Sequence, residues 1–290
     1  MQLDSFSIAI NNDKTVVDNI NGYVHFSDTI EAKKLQFQYR EQSYKTDGTF
    51  INLPGWLLGK PVVLKVSANI FCDRCLPGLF ISEKTQTVSP QQKPEAFMMP
   101  NNIILDLNFA ADSFLFKTFT AEKVRASINY KSGLLNFKTV SLSSLEGAIS
   151  GNGYLVQNTN KSFIAKGDFD IDKININKAF VTFNNYGQKF ITAGNLEGLL
   201  TGTLSVLIPM DSLFKSNIRT ISAEGKYKIE NGSLIGFEPV KSLSSFVEIS
   251  ELENIRFEKL ENDFFINNNI FFFIHFFYTI CICCKLIFIF

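Results

Sequence analysis

The feature that most restricts the fold of this chain is a two-residue period. From Ser222 the residues Ala223, Gly225, Tyr227 and Ile229 fall on one side, and Glu224, Lys226, Lys228 and Glu230 on the other. Successive side chains of a strand point to opposite faces, so this run reads as a half-solvated β-strand. The same alternation recurs at Leu35, Phe37 and Tyr39, at Leu105, Leu107 and Phe109, at Ala126, Ile128 and Tyr130, and at Phe163, Ala165, Gly167, Phe169 and Ile171. Thirty Phe and eight Tyr supply the bulky apolar side chains that suit a pleated surface. Strands do not alternate regularly with long helices, which argues against a parallel α/β sheet. The expected class is therefore mainly β: an elongated, curled antiparallel sheet forming an open apolar groove, with a few short capping helices.

Turn and helix signals punctuate this meander. Asn231-Gly232 is a favoured hairpin pair, so a turn is expected between the strand ending at Glu230 and Leu234 to Phe237. One short helix is expected from Pro239 to Val247, where Val240, Leu243, Phe246 and Val247 recur at helical spacing behind a proline. A second is expected from Ile174 to Phe183, with Ile176, Phe180 and Phe183 facing one way. Ser82 to Pro100 holds Pro90, Pro94 and Pro100 among polar residues, which predicts a linker or long loop at 82–100. Residues 1–81 then form an N-terminal β segment, with strands at Ser5 to Ile10, Gly22 to Ser27, Leu35 to Arg40 and Val62 to Ser67. Residues 101–269 form a second β region. The tail, 270–290, is Phe, Ile, Cys and Leu interrupted by His275 and Lys285, about the length that crosses a bilayer core. It reads as a membrane anchor or as an off-frame translation of A/T-rich DNA. The second reading is preferred, because alternation stops after Asn269, and the tail is expected to stay outside the β fold.

Chemistry is scarce in the sequence. The 28 basic and 28 acidic residues cancel, so no broad positive field exists to gather nucleic acid. Only two histidines are present, and His25 lies in a strand with no cluster of ligands around it. No phosphate-binding loop, dinucleotide fingerprint, metalloprotease helix, calcium loop or nucleophile elbow occurs. Cys72-Asp73-Arg74-Cys75 has redox or half-zinc spacing, but Leu76-Pro77-Gly78 follows where a helix would have to start. Two small buried apolar side chains explain the pair better. Asp168, Asp170 and Asp172 share one face of a strand and read as its solvent side rather than a cation site. No catalytic residue, metal ligand or cofactor is predicted, and the chain is not expected to be an enzyme.

The order of glycine-punctuated segments over Pro100 to Asn269 carries a resemblance. Met98-Met99-Pro100-Asn101-Asn102-Ile103 opens it ahead of the Leu105/Leu107 strand; Leu145-Glu146-Gly147-Ala148 and Ser150-Gly151-Asn152-Gly153 follow. Then come Gly167-Asp168-Phe169-Asp170-Ile171-Asp172-Lys173, Leu196-Glu197-Gly198-Leu199-Leu200-Thr201-Gly202 and Glu230-Asn231-Gly232-Ser233-Leu234. This region resembles the C-terminal region of the AsmA family. The resemblance implies a cell-envelope protein on the periplasmic side of the inner membrane. Family members carry an N-terminal membrane helix and an extended β-groove, take part in outer-membrane assembly and, among bridge-like relatives, move phospholipid. This chain shows neither that helix nor family-like strands after Asn269, which suggests a fragment. The family supplies no catalytic residues.

Physics makes the implied partner reasonable. A lipid with roughly thirty methylenes costs on the order of 20 kcal/mol to expose to water, so a carrier needs continuous apolar lining. About fifteen strands at roughly 4.8 Å spacing span some 70 Å, a width at which sheets curl. The residues expected to line the concave apolar side are Leu105, Leu107, Phe109, Ile128, Tyr130, Phe163, Phe169, Tyr227 and Ile229, with Asp106, Asn108, Lys166, Asp168, Glu224, Lys226 and Lys228 facing water. Phospholipid and membrane are the expected partners, nucleic acid is not, and the alternative is a structural β scaffold or adhesin-like protein with a closed core.

Overall fold

The computed structural model describes residues 1–9, 16–27, 29–77, 96–187, 189, 191–238, 252–267 and 270–273. The strands are β1 (Gln2–Ala9), β2 (Val16–Phe26), β3 (Thr29–Tyr39), β4 (Gln42–Ile51), β5 (Leu64–Cys75), β6 (Ile103–Phe116) and β7 (Phe119–Lys131). They continue as β8 (Leu134–Ser144), β9 (Gly147–Gln157), β10 (Phe163–Asn175), β11 (Leu196–Met210), β12 (Ser222–Ile235), β13 (Asn254–Asn267) and β14 (Ile270–Phe273). Two short helices are described, α1 (Leu53–Leu57) and α2 (Ile176–Thr182). The protein is mainly β, in a sheet that follows chain order from β1 to β14 and does not close.

The chain divides into two compact units. The first holds residues 1–142, 150–167 and 207–217; the second holds 143–149, 168–206 and 218–290. The division does not fall at 82–100, because β5 and β6, on either side of that stretch, pair within the first unit. Their pairing is parallel, in register from Leu64↔Ile103 to Cys75↔Phe114, whereas the pairings from β1 to β5, of β6 with β7 and from β12 to β14 are antiparallel.

Bulges set the registers of the first unit. Ser5, Asn19 and Lys34 have φ of 51°, 53° and 52°, and the register shifts near each of them, on three consecutive strands. Such bulges add a residue on one strand and sharpen its twist. The freed amides find partners on the neighbouring strand: Ser5 N donates to Asn21 Oδ1 at 3.0 Å, and Lys34 N to Asp47 Oδ1 at 2.7 Å. In β3 the bulge puts Ala32 and Leu35 against Gly48 and Thr46, so the Leu35/Phe37/Tyr39 alternation starts only after it.

In the second unit, α2 begins at Asn175, whose Oδ1 accepts from Lys178 N at 3.1 Å and whose Nδ2 donates to Glu146 Oε2 at 2.8 Å. An asparagine accepting from an amide of the first turn is a favoured N-cap, and it starts the helix at Ile176 rather than at the expected Ile174. Its buried residues are Ile176 and Ala179, while Phe180 is half-buried and Phe183 exposed. The expected Pro239 to Val247 helix lies outside the described residues, and α1 escaped the sequence reading.

Two expectations are corrected. The Asn231-Gly232 hairpin does not form: β12 runs through both residues, paired with β13 from Ala223↔Ile266 to Ile235↔Asn254. Glycine is required at 232 for packing, since a Cβ there would lie 2.1 Å from Phe257 Cε2. Asn231 takes the left-handed conformation, φ 51°, that asparagine tolerates. Secondly, the fold does not stop at Asn269, because β14 pairs antiparallel with β13 from Phe264↔Phe273 to Asn267↔Ile270. Four apolar residues suffice to extend a ladder already formed by Phe264 to Ile266. Residues 274–290 lie outside the described residues.

Candidate functional site

The registers of the first unit stack apolar side chains into rows across the sheet. One row is Ile30, Phe50, Val66, Leu105 and Tyr130; the next is Ala32, Gly48, Ala68, Leu107 and Ile128. Then follow Leu35, Thr46, Ile70, Phe109 and Ala126, and finally Phe37, Tyr44, Cys72, Ala111 and Val124. All these residues share one face, because each is the direct cross-strand partner of the last. Thr46 fits among them by donating its hydroxyl to Asn69 O at 3.0 Å. The small residues of the second row bring strands close: a Cβ on Gly48 would lie 2.5 Å from Ala68 Cβ.

Leu105, Leu107, Phe109 and Ile128 therefore lie together and are half-buried. Of the other expected lining residues, Phe169 and Tyr227 are also half-buried, whereas Tyr130, Phe163 and Ile229 are buried. Tyr130 is buried, its hydroxyl donating to Pro100 O. Phe163 is 0% exposed, stacked on Phe214 with centroids 4.3 Å apart and flanked by Phe97 at 6.2 Å. In the second unit Ile229 is buried in a cluster with Ile176 of α2 and Phe257, against which Phe180, Leu196, Leu200, Tyr227 and Leu260 pack. Burial holds the Tyr227 hydroxyl up to about 12. Phe169 is half-buried on β10. Tyr130, Phe163 and Ile229 are thus sealed by neighbouring protein, and alternation had no means of showing it, since the covering residues come from distant segments.

Of the residues expected to face water, Asp106, Asn108, Glu224 and Lys226 are exposed, while Lys166, Asp168 and Lys228 are half-buried. Asp168 accepts from Ser205 Oγ at 2.6 Å. The opposite face of the first unit carries side-chain ladders: Asn108 Nδ2 donates to Asn69 Oδ1 at 3.0 Å, and Asn129 Nδ2 to Asp106 Oδ1 at 2.6 Å. A trough of about 610 Å³ lies over this polar face, walled by Glu31, Lys33, Asp47, Asn69, Asp106 and Asn108. Sequence reasoning missed it, because it depends on which strands become neighbours.

Cys72 is fully buried and Cys75 half-buried, both as free thiols. Burial is the main cause that pushes the Cys75 thiol up to about 11 and raises Cys72 as well, so neither is a ready thiolate at neutral pH. Tyr44 beside them is raised too, chiefly by burial. Cys72 packs with Ala111, Ala121 and Val124 as a small apolar residue. No group of three His, Cys, Asp or Glu able to hold a metal occurs among the described residues.

No family model, curated protein or solved structure matches this chain. Among the described residues no helix is long and apolar enough to cross a membrane, which says nothing of strands.

Proposed function

We propose that this chain is a non-catalytic, AsmA-like envelope protein of the periplasmic side that holds phospholipid acyl chains against the apolar sheet face of its first unit and contributes in that way to outer-membrane assembly. The observation that supports this reading is the set of in-register rows from β3 to β7, in which Leu105, Leu107, Phe109 and Ile128 remain half-buried. Contiguous apolar surface left at a sheet face marks a binding surface in a way that scattered residues do not.

A photocrosslinking amino acid at Leu107, compared with one at its neighbour Asn108, tests the proposal in the full chain expressed in a bacterial envelope. Lipid adducts at 107 and few at 108 are expected, because neighbours in a strand face opposite ways. Equal labelling, or none at 107, would reject the reading.

The scaffold alternative draws on the second unit, where Ile176 of α2 clusters with Ile229 and Phe257 and leaves Ile229 little surface for a ligand. It predicts no adduct at either position.

A further inference from the structure

Four segments of the first unit come together beside the end of the apolar rows marked by Leu105 and Tyr130. They are residues 96–102, 130–134, 157–163 and 211–217. Gln157 ties three of them: its N donates to Gly133 O at 2.9 Å, its Nε2 to Phe97 O at 2.8 Å, and its Oε1 accepts from Met99 N at 2.8 Å. The fourth is joined by Phe97 N donating to Ser212 O at 3.1 Å and by the Phe97 and Phe214 rings, 5.3 Å apart. The cluster leaves four large apolar side chains exposed, Phe97 at 39%, Met98 at 56%, Leu134 at 43% and Phe214 at 42%.

Charge on these four segments is one-sided. The charged residues of these segments are Lys131, Lys161, Lys215 and Asp211, and the three lysines are exposed. Asp211 is occupied within its own loop, accepting from Leu213 N at 2.8 Å and Lys215 N at 2.9 Å, bonds that hold its carboxyl below the usual range. Exposed Phe, Met and Leu on segments that also carry three exposed lysines are the chemistry of a surface that enters the headgroup region of an anionic bilayer, where apolar side chains reach the acyl boundary and cations meet lipid phosphate.

We infer that this tip docks the protein on an anionic lipid surface, next to the apolar rows. The inference rests on the lipid-handling reading for its purpose. The test uses full-length Trp56→Phe/Met98→Trp protein, which moves the chain's single tryptophan to the tip. It is mixed with vesicles of phosphatidylcholine and phosphatidylglycerol with brominated acyl chains. Blue-shifted, quenched emission is expected, and Lys161→Glu/Lys215→Glu on that background should weaken vesicle binding by roughly tenfold or more. Both lysines are exposed, so circular dichroism should be unchanged by their substitution. Unquenched emission overturns the inference, and so does quenching that is the same on pure phosphatidylcholine and indifferent to the lysines. A tip that inserts while Leu107 gives no lipid adduct rejects lipid carriage alone; adducts at Leu107 with an unquenched tip reject docking alone.

Discussion

At the scale of single residues, Leu105 and Phe163 look equivalent in the sequence: both are apolar members of alternating runs. The structure separates them by what lies on top. Phe163 is enclosed by Phe97 and Phe214, whereas Leu105 is half-buried in its row. Truncating an enclosed ring leaves a cavity that its neighbours fill only in part, so Phe163→Ala should lower stability by about 3 to 5 kcal/mol. Leu105→Ala removes less buried area and should cost about 1 kcal/mol. Urea unfolding of the two variants measures the difference, and equal losses would mean that Leu105 is as enclosed as Phe163. Facing was legible because period two requires only local geometry. Enclosure was not, because Phe97 and Phe214 lie far from Phe163 along the chain and reach it only through tertiary packing.

Strand β12 shows why an element can defy its strongest local signal. Asn231-Gly232 favours a two-residue turn, yet twelve described partners tie β12 to β13, and a turn at 232 would forfeit those beyond it. The ladder also fixes its own register. Lys226, Lys228 and Glu230 stand opposite Asp263, Glu261 and Lys259, so a two-residue slip that keeps the faces would set Lys228 against Lys259. Gly232 lies under the ring of Phe257, and Gly232→Val should cost about 1 to 3 kcal/mol through overcrowding. Adding Phe257→Ala should recover much of that loss relative to Phe257→Ala alone. A double-mutant cycle in urea reads the coupling, and additive losses would show that the glycine serves a turn after all. By contrast α2 was legible from its apolar spacing, which acts within one helical turn, although its start was placed two residues early because the Asn175 cap was not singled out.

On the scale of the whole molecule, chain order and sheet order coincide, so most of the fold is built from neighbours in sequence, and this is why alternation recovered its class. The parallel pairing of β5 with β6 was not legible, since period two carries no strand direction. That pairing has a consequence for connectivity. Neighbouring parallel strands cannot be joined by a tight turn, so β5 and β6 do not owe their pairing to a hairpin. Register across this boundary is held by the ladder from Leu64↔Ile103 to Cys75↔Phe114, not by the covalent link. The chain should therefore tolerate being cut there. Fragments 1–77 and 96–290, made together with an affinity tag on one, are expected to copurify and to give the strand signal of the intact chain in circular dichroism. Recovery of the tagged fragment alone would show that the link is needed to bring the ladder together. Two separate translation products could thus complete one sheet, provided that the bare edges of β5 and β6 find each other before either templates a stranger.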